Sequence, residues 1–85
     1  WHLGHADTKY WPQNRGFDYY YGNLVGEVDY FTHKRGGVID WQRNGKFLNQ
    51  EGYHTDLVGN EAVNIINSHN PDKPLFLYVA FLSPH

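Results

Sequence analysis

The 85 residues contain no cysteine. Neither a disulfide framework nor a thiolate zinc site holds such a chain together, and its redox compartment is left open. Charge of one sign is scarce too: seven Lys and Arg against nine Asp and Glu leave a net charge of -2. The basic footprint of a nucleic-acid binder is therefore missing. The longest apolar run, Leu75 to Leu82, is far short of the ~20 residues that span a bilayer, so no membrane anchor is read here. No Asn-x-Ser/Thr acceptor occurs. The chain opens on Trp1 rather than methionine, and no signal-peptide pattern precedes it, so its start is expected to be a cut end. What is present, 40% apolar and 18% aromatic residues, describes a globular chain rather than a disordered one.

Local patterns divide the chain. Residues 1–37 are rich in glycine, aromatics and charge, without a sustained period of two or 3.6, and read as a long ordered loop region. Val38 to Gln42 and Phe47-Leu48 flank Arg43-Asn44-Gly45-Lys46, which predicts a hairpin around an Asn-Gly turn. Thr55 is placed to cap a helix whose apolar stripe is Val58, Ala62, Ile65 and Ile66, with Asp56 and Glu61 in its first half. Asn70-Pro71-Asp72-Lys73-Pro74 ends it, since proline cannot continue a helix and disfavours helical angles in the residue before it.

Leu75 to Leu82 is apolar or aromatic at every position. A strand without alternation is one buried on both faces, as in a parallel sheet covered by helices on each side. One helix cannot cover two faces, so the chain is expected to be a piece of a larger α/β protein. Ligands of such sheets gather beyond the carboxyl ends of the strands, where Ser83-Pro84-His85 lies.

WHLGH at the start, RGFDYYYG, VGEVDYFTH, DWQRNGK, GYHTDL and KPLFLYVAFLSPH together resemble the middle of a type I sulfatase, nearest the arylsulfatase B-like branch. The resemblance runs over essentially the whole chain. It implies an alkaline-phosphatase-like α/β fold, residues 1–85 being a partial catalytic domain that needs the rest of the domain to fold. It also implies hydrolysis of sulfate esters by a formylglycine nucleophile with a calcium ion, and an extracytoplasmic location, whether secreted, periplasmic or lysosomal. The substrate would be a sulfated small molecule or glycan. Within the resemblance, His2 matches the histidine that hydrogen-bonds the formylglycine hydroxyl. His85 matches the one that contacts the sulfate or its leaving oxygen. Asp29 and Tyr30 fall where loops border the substrate pocket. The formylglycine motif, the lysines and the calcium ligands have no counterpart here, so no metal ligand is assigned.

Histidine suits both places. An imidazole titrating near neutrality can take a proton from a nucleophile, as His2 would, or give one to a poor leaving alkoxide, as His85 would. Other readings stand beside these. His2 and His5 have zinc-pair spacing, but neither helical period nor third ligand accompanies them, and His5 reads as a loop residue. His33, His54 and His69 read as surface groups or groups behind the site. Tyr19, Tyr20, Tyr21, Tyr30 and Phe31 offer faces for a sugar, though loop packing explains them better. Lys34 and Arg35 are solvated charges that could meet a sulfated glycan. A phosphatase or phosphodiesterase of the same fold and a non-catalytic carbohydrate-binding module remain alternatives.

Overall fold

Two tight turns organise the middle of the chain. In the computed structural model, which describes all 85 residues, Asn44 and Gly45 have φ of 52° and 88°, the left-handed angles of a mirror-image hairpin turn. Three short strands form one antiparallel sheet: β1 (Tyr21–Gly22), at one edge, pairs with β4 (Gln42–Arg43), which pairs in turn with β5 (Lys46–Phe47). Across the turn Gln42 faces Phe47 and Arg43 faces Lys46. The hairpin expected around Asn-Gly is present.

Val38 and Ile39 do not belong to it. They form β3 (Val38–Ile39), which pairs back onto β2 (Lys34–Arg35) through Gly36 and Gly37, at φ of 57° and 80°. A two-glycine turn adopts these angles without a Cβ penalty, so the nearer partner wins. Residues 1–37, expected to be loop throughout, thus contribute β1 and β2, with two 3-10 turns at Thr8–Tyr10 and Pro12–Asn14.

The one helix, α1 (His54–Ser68), begins at His54, with Tyr53 at the cap position and no side-chain cap bond. Thr55 is therefore not the cap. It lies within the first turn, and its hydroxyl meets Ser83 Oγ at 2.8 Å. Val58, Ala62 and Ile65 are half-buried and Ile66 is exposed, so the apolar stripe is covered on one side only. Glu61 ties the helix to β4: Arg43 Nη2 donates to Glu61 Oε2 at 2.8 Å and Arg43 Nε to Oε1 at 3.1 Å. Burial pushes the Glu61 carboxyl up, but the hydrogen bonds from Arg43 and Tyr19 outweigh it and hold the group below its ordinary value.

The core is a single aromatic cluster. Trp41 has no exposed surface. His33 stacks on it at 4.6 Å, and Tyr21 and His54 meet it edge-on at 4.9 and 5.0 Å. His33 and His54, expected to be surface groups or groups behind the site, are both buried. Each satisfies a ring nitrogen locally, His33 Nε2 donating to Gly52 O at 3.0 Å and His54 Nε2 to Asn23 Oδ1 at 3.0 Å. An imidazole with one met donor packs like a small aromatic.

Leu75 to Leu82 forms no regular element and joins no ladder. Phe76 and Tyr78 stay 79% and 72% exposed. The expected double burial is thus not seen: the strands of this chain are two residues long and pair among themselves, leaving this segment without a neighbouring strand. Its ends are nevertheless held, Phe17 packing on Phe76 at 6.3 Å and Ser83 hydrogen-bonded to Thr55.

Candidate active site

The loop Asn23 to Glu27 is fixed by two side chains, Asp40 from below and Asn23 from within. Asp40 accepts from the Leu24 amide at 2.9 Å and the Val25 amide at 2.8 Å through Oδ2. Asn23 Nδ2 donates to Val25 O at 2.7 Å, and that orients its Oδ1 toward the buried His54. Amides held by a carboxylate make a stiff platform.

Both chosen histidines reach this platform, from opposite ends of the chain. His2 donates its amide to Leu24 O at 3.3 Å and adopts φ of 70°. Histidine is among the few non-glycine residues found in that left-handed region. Its ring lies against Gly26, where a Cβ would stand 2.5 Å from His2 Nε2. His85 brings Nδ1 to 3.4 Å from Glu27 Oε2. The two rings, 83 positions apart in sequence, therefore land on consecutive residues.

The segment carrying His85 is gripped by hydroxyls. Tyr30 Oη donates to His85 O at 2.7 Å, Thr55 Oγ1 meets Ser83 Oγ at 2.8 Å, and Tyr53 Oη lies 3.3 Å from the same oxygen. Tyr30 is itself held by the His54 amide donating to its carbonyl at 2.8 Å. Asp29 Oδ1 accepts from the Phe31 and Thr32 amides at 2.8 Å each. Those amides, Thr32 foremost, keep its carboxyl below the usual range, and the oxygen they occupy closes its own turn.

The tyrosine run is mainly structural. Tyr19 hydrogen-bonds Glu61 and Arg43, Tyr20 hydrogen-bonds Asn23 O, and Tyr21 packs on Trp41. Phe31, stacked on Tyr53 at 5.4 Å, keeps an exposed face. His5 is exposed outside any helix. Beside His2 opens a cleft of about 570 Å³, lined among others by Trp11, Arg35, Asp40 and Phe47. Sequence reasoning missed Asn23, Glu27 and Asp40. Of these only Asp40 left a trace, a carboxylate interrupting the apolar run from Val38 to Trp41.

Gly26 gives a direct test of the His2 placement. An alanine methyl would strike the movable ring of His2 rather than backbone, so Gly26→Ala should leave unfolding unchanged. The imidazole resonances of His2 in the full-length protein should shift as its ring is pushed off the loop, while the melting temperature holds.

His54 imposes a pH dependence. Burial, and then the neighbouring His33, hold its pKa below the ordinary 6.5, and its Nδ1 has no partner, so a second ring proton has no acceptor. A group depressed in the folded state favours folding above its unfolded pKa and loses that contribution as pH falls. Below about pH 6.5 the unfolded state binds the extra proton, and stability should drop by up to ~1.4 kcal/mol per pH unit. Denaturant unfolding of the full-length protein at several pH values should show a shallower acid-side slope for His54→Gln than for the unaltered form.

Comparison with known proteins assigns the class. A family model described as Sulfatase matches residues 1–85, and the chain belongs to the sulfatase family. It is 37% identical over 93 residues to arylsulfatase J of Mus musculus, an alignment covering all of this chain and 16% of that protein. With the uncharacterized sulfatase YdeN of Escherichia coli strain K12 the identity is 31% over 75 residues, covering 87% of this chain and 12% of the relative. The chain thus spans less than a fifth of the curated relatives it matches.

Proposed function

We propose that the chain is part of the catalytic domain of a sulfuric ester hydrolase of the arylsulfatase type, with an alkaline-phosphatase-like α/β fold. The observation that carries this reading is the convergence of His2 and His85 on Gly26 and Glu27. Two imidazoles on one stiff loop suit a displacement in which one proton is taken up and another delivered. His85 holds the proton that the departing alkoxide needs. His2 is the acceptor on the nucleophile side.

Formylglycine and calcium, which the family reading implies, would supply the attacking oxygen and charge neutralisation of the sulfate. The residues of this chain do not fit either group. There is no cysteine, the two serines lie outside any Ser-x-Pro-Ser-Arg context, and no three His, Asp or Glu side chains converge on a metal-sized point. Both would have to come from other parts of the full-length protein, as would the sheet neighbours of Leu75 to Leu82.

A sulfated carbohydrate is the proposed substrate. Trp11 and Phe47 offer flat apolar faces in the cleft beside His2, and Arg35 offers a cation to an anionic ring substituent. Such a substrate fits an extracytoplasmic enzyme. The test is turnover of 4-nitrophenyl sulfate and 4-nitrophenyl phosphate by the full-length protein. Hydrolysis of the sulfate in preference to the phosphate is the expected outcome. Preference for phosphate would replace this reading with phosphoryl transfer, and no turnover of either ester would remove it.

A further inference from the structure

Glu27 and Tyr30 lie on one stretch of chain, Tyr30 on a turn and Glu27 just before it, and both hold His85, at different atoms. Tyr30 Oη donates to the His85 carbonyl at 2.7 Å, which pins the backbone from which the ring hangs. Glu27 Oε2 faces ring Nδ1 at 3.4 Å, which leaves Nε2 as the nitrogen free to meet a substrate. A carboxylate facing one imidazole nitrogen favours the tautomer that carries a proton there, and so decides which nitrogen does the chemistry.

We propose that Glu27 and Tyr30 form a clamp that orients His85, Glu27 choosing the reactive nitrogen and Tyr30 fixing the ring's point of attachment. This rests on the reading of His85 as the acid for the leaving oxygen. Neither residue touches the reacting atoms, so both are positioning residues. The carboxylate and the ring are 55% and 69% exposed, and an exposed pair contributes little to stability. The contact has its consequence in orientation instead. The turn that presents Tyr30 is independently rigid, since Asp29 ties down the amides of Phe31 and Thr32 and the Asp29 amide donates to Lys34 O at 2.9 Å.

The experiment uses the full-length protein and a series of aryl sulfates whose phenols span a range of acidity. Glu27→Gln keeps the shape and removes the charge. It should lower kcat by about 10-fold on the least acidic phenols, a part of the ~10²- to 10⁴-fold that general acid catalysis supplies, with KM little changed and the most acidic phenol nearly unaffected. Tyr30→Phe should steepen the same dependence. In a His85→Ala background neither change should cost anything further, since both act through that ring. Uniform losses across the series, losses that persist without His85, or rates equal to the unaltered enzyme would each overturn the clamp. If His85→Ala itself leaves the leaving-group dependence untouched, the acid role falls first and the clamp falls with it. That result is distinguishable from a clamp that fails while His85 still matters.

Discussion

Replacing His85 with alanine in the full-length protein should slow hydrolysis of a sugar sulfate by ~10²- to 10⁴-fold while costing an activated aryl sulfate far less. The difference follows from the leaving groups. A sugar alkoxide is too basic to depart without a proton, whereas a nitrophenolate leaves unaided. The ring's attachment is fixed by the Tyr30 hydroxyl on its carbonyl and by hydroxyl contacts to Ser83. Alanine keeps those backbone anchors, so the segment should stay in place when the imidazole goes. Equal losses on both substrates would show instead that His85 serves mainly to bind the sulfate oxygens. The comparison of two kcat/KM ratios is therefore more informative than either rate alone.

What the sequence made legible follows from how local each signal is. The Asn44-Gly45 turn and the body of α1 are written in adjacent residues, through left-handed angles in one case and a 3.6-residue apolar stripe in the other, and both are present. The start of the helix misled because Thr55 has the chemistry of a cap. Its hydroxyl is engaged by Ser83, 28 positions away, and no short-range pattern reports that. For His33 and His54 the sequence left surface and interior both open, since their burial comes from Trp41, which both rings pack against. Of the candidate site, the family motifs pointed to the two histidines, whose rings lie against Gly26 and Glu27. The platform beneath them was not legible, because Asp40 reaches Leu24 and Val25 across 15 or 16 positions. A polar residue that acts by holding backbone amides leaves no periodic trace.

The 85-residue chain taken alone should show neither a cooperative thermal transition nor sulfatase activity. Only eight residues are buried, and Leu24, Val28 and Trp41 are the apolar ones among them. Phe76, Tyr78 and Phe81 all lie on the water-facing segment Leu75 to Leu82. An apolar, uncharged stretch outside any sheet, with backbone groups left unpaired, is a template for pairing with further copies, so aggregation rather than a stable monomer is the expected fate at micromolar concentration. Aspartate at both Leu77 and Val79 should raise the solubility of the isolated chain by placing charge in that stretch. In the full-length protein the same change should abolish folding, because there the segment would lie between sheet neighbours where an unpaired carboxylate cannot be accommodated. Opposite outcomes in the two settings would identify Leu75 to Leu82 as an interior strand. A sharp calorimetric transition for the 85-residue chain, with unchanged solubility on adding the aspartates, would instead mean that the aromatic cluster around Trp41 is sufficient to hold the chain by itself.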